Sequence, residues 1–159
     1  MTTARIVQVL SLFAFALFTT HAAAQQRPNY TTPVNLDTAK KMAAAAVTEA
    51  KKNNWNVAIA VVDNHGFLVY FEQLDNTQTA SGNIAIEKAR TSAMYRRPTK
   101  ALDDGISKGR PSLLSLGVMA LEGGLPIMVG GRVAGGIGVS GVNSDQDAQV
   151  AQAGLDALK

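Results

Sequence analysis

The chain is 159 residues long, with 15 Lys and Arg against 12 Asp and Glu, a formal charge of +3 and no cysteine. So even a charge balance argues against a nucleic-acid partner, which would call for a much more basic domain. The missing thiols exclude disulfides, thiolate metal ligands and a cysteine nucleophile.

The first element is a targeting segment. Arg5 supplies a positive start, Ile6–Phe18 is apolar except for Gln8 and Ser11, and Ala22-Ala23-Ala24 offers a small-residue cleavage site before Gln25. The apolar run falls short of a bilayer span, about 20 residues. Residues 1–24 therefore read as a signal peptide and the mature protein as periplasmic or secreted. It keeps 14 Lys and Arg against the same 12 acidic residues, and is long enough for one domain but not two.

Gln25–Val34, with two prolines, reads as a flexible leader to a single domain over residues 35–159. Asn35 can cap a helix whose apolar side runs from Leu36 through Ala39, Ala43, Ala46 and Val47 to about Lys52. Val57–Val62 is a β-branched run, Asp63-Asn64-His65-Gly66 is turn chemistry, and Phe67–Leu74 is a second strand, so residues 57–74 form a hairpin. Thr79 or Ser81 is placed to cap the next helix, which Pro98 ends. Thr99 then caps a shorter helix to Ser107, stopped by Gly109. Pro111–Leu121 is apolar, with a short strand expected at Val118–Leu121. Pro126–Val129, Gly130-Gly131 and Arg132–Ser140 form a second hairpin. Ser144, with Asp147 three residues on, opens a last helix. Strands arriving as hairpins predict an α/β domain whose central, largely antiparallel sheet of about five strands is flanked by helices.

Ile84–Lys100 carries the most chemistry. Lys88, Arg90, Arg96, Arg97 and Lys100 lie on this helix and its exit. Ala85, Ala89, Ser92 and Ala93 recur at helical spacing, a narrow stripe able to lie close against a sheet. Lys88, Thr91 and Tyr95 share a neighbouring face. A cationic, hydroxyl-bearing helix end suits an anionic ligand, although a basic helix face more often simply meets solvent.

Other features argue by elimination. Gly136-x-Gly138-x-x-Gly141 matches a dinucleotide fingerprint in letters only, because no second strand with an acidic end follows its helix. Those glycines better serve a tight hairpin and close helix–sheet approach. His65, the one histidine after cleavage, sits in a turn and cannot build a multi-histidine metal site. The acidic residues are scattered, with no pair placed for acid–base work or a metal cage. Catalysis by a bound cofactor stays open.

WNVAIAVVDNHGFLVYFEQLD (55–75), ASGNIAIEKARTSAMYRRPTKAL (80–102) and EGGLPIMVGGRVAGGIGVSGVNSDQDAQVAQAGL (122–155) together resemble the GlcG/HbpS-like family, also found as the C-terminal domain of PduO-type proteins. The resemblance implies an α/β domain that assembles into homo-oligomers. Exported HbpS-type members bind haem and are linked to haem or iron sensing and oxidative-stress signalling through a membrane sensor partner. Others sit beside glycolate or diol metabolism, so an enzyme or carrier for a small carboxylate is the alternative. Carried over by position, the ligand-facing residues are Lys88, Arg90, Thr91, Tyr95, Arg96 and Arg97. Arginine suits the haem propionates and Tyr95 is the better-placed oxygen donor for iron, with Met94 and Met119 available to flank the ring. His65 departs from the family turn and is not carried over as a ligand. The acidic E-x-x-E motif of some members is absent.

Overall fold

Alanine and glycine on one face of a sheet, and branched side chains on the other, set how the layers stack. The computed structural model describes residues 26–159, so the signal-peptide reading of residues 1–24 lies outside the described residues. Four helices and four strands follow in the order α1 (Leu36–Lys52), β1 (Ala58–Asp63), β2 (Leu68–Gln73), α2 (Ser81–Tyr95), α3 (Lys100–Ser107), β3 (Gly124–Val129), β4 (Arg132–Ser140) and α4 (Ser144–Asp156). The sheet order is β2-β1-β4-β3 and every neighbouring pair is antiparallel.

Local chemistry explains most boundaries. The Asn35 side chain accepts from Thr38 N at 2.9 Å and starts α1. Asp63 Oδ1 accepts from the backbone N–H groups of His65 and Phe67, at 2.8 and 2.9 Å, and fixes the β1–β2 turn. Arg96, at φ 53°, closes α2 in the left-handed conformation two residues before Pro98.

Four expectations are corrected. Val118–Leu121 forms no strand: a 3-10 helix occupies Pro111–Leu116, Gly117 turns left-handed, and Met119 N donates to Thr91 Oγ1 at 3.1 Å rather than to a ladder. Neither Thr79 nor Ser81 caps α2, whose N-cap position is Ala80 with no side-chain bond. Thr99 does not cap α3; its hydroxyl accepts from Gly124 N at 2.9 Å instead. The α4 capping box is Asn143 with Gln146, which leaves Asp147 free for another partner.

Residues 29–34 do not behave as a loose leader. Val133 N donates to Asn29 O at 2.8 Å, Thr31 N to Val133 O at 3.0 Å, and Val34 N to Ala134 O at 2.9 Å. They run parallel to β4 and take the place beside it that β1 vacates at Asp63.

The sheet lies between two helical layers. Ile59 and Val61 of β1 join Ile137 and Val139 of β4 in a core with α1 and α4. Alternate residues Ala58, Ala60 and Val62 face Ala85, Ala89 and Ala93 of α2. Opposite α2, β4 carries Gly136 and Gly138; a Cβ at Gly138 would run into the Ala85 carbonyl and the Ala89 amide. Two glycines of the fingerprint-like motif thus let a helix backbone rest directly on a strand, as the stripe of small residues implies.

Candidate functional site

Lys88 and Thr91 point into the protein. The Lys88 ammonium lies 2.7 Å from Asp147 Oδ2, with the side chains only 1% and 2% exposed. This pair joins α2 to α4 across opposite faces of the sheet. The gap it uses exists because residue 123 is glycine; a Cβ there would sit 2.8 Å from Lys88 Nζ. Burial pushes the Asp147 carboxyl above its ordinary value, opposed by Lys88 and by the backbone N–H groups of Val142 and Gly141. Thr91 is buried and holds Met119. The shared face of Lys88, Thr91 and Tyr95 is real; Leu116, Met119 and Gly123 approach it, and Lys88 and Thr91 spend their polar groups on partners within the fold.

The other four sequence-predicted residues surround the exit of α2. Arg90 Nε donates to the Gly66 carbonyl at 3.0 Å and its terminal nitrogen pairs with Glu87 at 2.6 Å, bracing the β1–β2 turn. Tyr95 OH approaches the Leu116 carbonyl at 3.5 Å on the opposite side. Left-handed Arg96 donates to the Pro28 carbonyl at 3.1 Å, and its guanidinium stacks 5.3 Å from the centre of the Tyr30 ring. Arg97 is partly buried. Burial, then the positive charges of Arg27 and Arg110, draw its guanidinium below its ordinary value, while Tyr95 acts the other way. Its Nε is buried without a hydrogen-bond partner. Among the described residues no carboxylate pairs with Arg27, Arg96, Arg97 or Arg110.

Beside Arg96 lies a cleft of about 340 Å³ lined by Tyr30, Asn64, His65 and Met94. Tyr30 OH donates to the Met94 carbonyl at 2.8 Å and closes one wall. Asn64 is buried; its Nδ2 donates to the Thr31 carbonyl at 2.6 Å, while Oδ1 has no partner. The Asn64 acceptor in the β1–β2 turn and the Arg97 nitrogen at the exit of α2 are two buried polar atoms left without a partner. Sequence reasoning missed Tyr30, Asn64, Arg27 and Arg110 because the leader and residue 110 come near α2 only through tertiary packing. His65 was visible, but its turn gave no sign of what it faces. Among the described residues, no group of three or more His, Asp or Glu is placed to hold a bare metal ion, and no helix is long and apolar enough to cross a membrane.

The family described as "Haem degrading protein HbpS-like" matches residues 34–156. Protein GlcG of Escherichia coli K12 is 41% identical over 103 residues, covering 64% of this chain and 77% of GlcG. The crystal structure of a double mutant of Streptomyces reticuli HbpS superposes with a TM-score of 0.76 at 30% identity, over 99% of each chain. A crystal structure of a PduOC–haem complex gives 0.72 at 26% identity, over 79% of this chain and 95% of that one.

Proposed function

The chain belongs to the HbpS-like family, and on that premise we propose that it binds haem in the cleft between the β1–β2 turn and the exit of α2. The observation that carries this reading is an imidazole-lined cleft walled by Tyr30, on whose ring lies Arg96, a guanidinium with no acidic partner among the described residues. Haem would supply an iron that accepts a nitrogen ligand and supports redox chemistry. His65 offers that nitrogen, while Met94 and the Tyr30 ring provide apolar walls. Arg96 and Arg97 offer guanidinium groups for two propionates, a pairing favoured by charge and by planar geometry. The unpaired Nε of Arg97 gains a partner on binding. The relative solved with haem supports the ligand class.

Titrating hemin into haem-free protein is expected to give a Soret band that saturates at fixed stoichiometry. His65→Ala should move that band, and Arg97→Ala should weaken binding by about ten- to a hundredfold, the loss of a charge-assisted contact. No saturating band sinks the function; a band unchanged in both variants sinks the site.

The crowding of Arg27 and Arg110 on Arg97 also favours a second reading, a carrier or enzyme for a small carboxylate. It requires that small carboxylic acids raise the melting temperature without hemin.

Two wider proposals accompany the site. The pattern in residues 1–24 supports an exported protein, with mature material beginning at Gln25 on N-terminal sequencing. Both outer strands expose apolar side chains, Leu68 and Phe71 on β2 and Met128 and Val129 on β3. Such edges favour burial between copies, so light scattering should find a homo-oligomer.

A further inference from the structure

At the opposite end of β1, six residues and roughly 17 Å from the haem-directed turn, lies a larger pocket of different chemistry. Its volume is about 540 Å³, within the range of about 300–1,000 Å³ usual for small-molecule sites. It forms where α1 hands over to β1 and where β2 ends, and its lining includes Asn54, Trp55, Asn56, Gln73, Asp75 and Asn76.

Three observations point to a ligand. First, the rim is fixed. Asn54 and Asn76 stand at φ 56° and 61°, a left-handed conformation that asparagine adopts at low cost. Trp55 N donates to the Ala50 carbonyl at 2.9 Å, and Leu74 N to the Val57 carbonyl at 3.0 Å, so both sides of the pocket are tied to the helix and sheet. Second, its polar groups are accessible. Asn54, Asn56, Gln73 and Asn76 line the pocket and are exposed, so their side-chain amides are open to an incoming molecule. Each amide both donates and accepts, which matches a hydroxyl group and not an anion. Third, the charges cancel: Lys51 and Asp75 are the only charged residues lining the pocket, one of each sign.

An aromatic surface surrounded by planar amides, neutral overall, is complementary to the C–H faces and hydroxyl edges of a carbohydrate. We propose that this pocket is a second binding site, for a neutral polyhydroxylated molecule, a sugar or polyol, seated against Trp55. It is independent of the haem reading, since it shares no residue with that cleft.

Trp55 is the only tryptophan in the chain, so the intrinsic tryptophan fluorescence of the haem-free protein reports this pocket alone. Titration with glucose, galactose, N-acetylglucosamine and mannitol should give a saturable shift with at least one of them. Asn76→Gly keeps the left-handed backbone while removing the amide, and Gln73→Ala removes a second one. Each should weaken the apparent affinity about three- to tenfold, with the hemin titration unchanged. No saturable shift with any of the four compounds overturns the proposal. So does a shift that both substitutions leave at full affinity in variants that melt like the parent.

Discussion

Removing the Lys88 ammonium tests how the two helical layers are locked together. In Lys88→Met the stem is replaced by a chain of similar bulk, while Asp147 keeps its place at 2% exposure and its bond from Val142 N at 3.2 Å. Burial already pushes that carboxyl up, and Lys88 is the largest influence holding it down. Without Lys88 the carboxylate is buried and unpaired, a change that costs about 3–5 kcal/mol at neutral pH. For the described 134 residues, an unfolding entropy of about 2.1 cal/mol/K per residue converts this to a fall in melting temperature of about 11–18 °C.

The sign of the pH dependence follows from the same displacement. A carboxyl whose folded-state value is raised binds its proton more readily in the folded chain than in the unfolded one. Its contribution is therefore fully present below the ordinary carboxylate value and is lost as pH rises through the raised value. In Lys88→Met that loss is steeper, so the deficit against wild type should shrink in acid and grow toward neutral pH. Adding Asp147→Asn to Lys88→Met removes the stranded charge while keeping an acceptor for Val142 N, and should restore most of the deficit at neutral pH. Asp147→Asn alone strands the Lys88 ammonium at 1% exposure, and should also cost about 3–5 kcal/mol. Circular-dichroism melts across a pH series measure all of this. A Lys88→Met protein melting within about 3 °C of wild type at neutral pH, or a deficit independent of pH, would refute the reasoning.

Two further outcomes follow from the packing around α2. Gly138→Ala would drive a methyl group into the Ala85 carbonyl and the Ala89 amide, backbone that cannot rotate aside. It should destabilise by about 1–3 kcal/mol or more, read as a lower midpoint in a urea melt, and an unchanged midpoint would show that α2 does not rest on β4. Arg96→Ala loses the stack on Tyr30 and the bond to the Pro28 carbonyl. Amide hydrogen exchange should quicken at Thr31 while β1 stays protected, and equal protection at both would show that Arg96 does not hold residues 28–31 in place.

Local signals carried the fold further than the site. The Asn35 cap, the turn at Asp63–Gly66 and the stop before Pro98 depend on neighbouring residues, and periodicity is enough to read them. The stripe of Ala85, Ala89 and Ala93 also announced a close sheet contact, because only small side chains repeat there. Lys88 was misread for a reason of the same kind. Helical spacing placed it correctly on a face with Thr91 and Tyr95, but its partner Asp147 is 59 residues away and on the other side of the sheet. Nothing local says whether a cation meets water, a ligand or a buried carboxylate. The same limit hid residues 29–34, whose polar, proline-bearing composition gave no hint of pairing with β4.

The site lies at the ends of the sheet because its faces are closed. Alanine and glycine bring α2 so near to β1 and β4 that no ligand could enter between them, and α1 with α4 seal the other face. What α2 still offers is its outer side and its exit, and the left-handed turn at Arg96 decides how that exit is used. By reversing the chain there, it brings the Arg96 guanidinium over the Tyr30 ring, one wall of the His65 cleft. The left-handed φ of 53° at a non-glycine residue carries a steric cost, and the stack on Tyr30 with the bond to Pro28 offsets it. The conformation that carries Arg96 to the cleft is therefore held by the same segment that walls it.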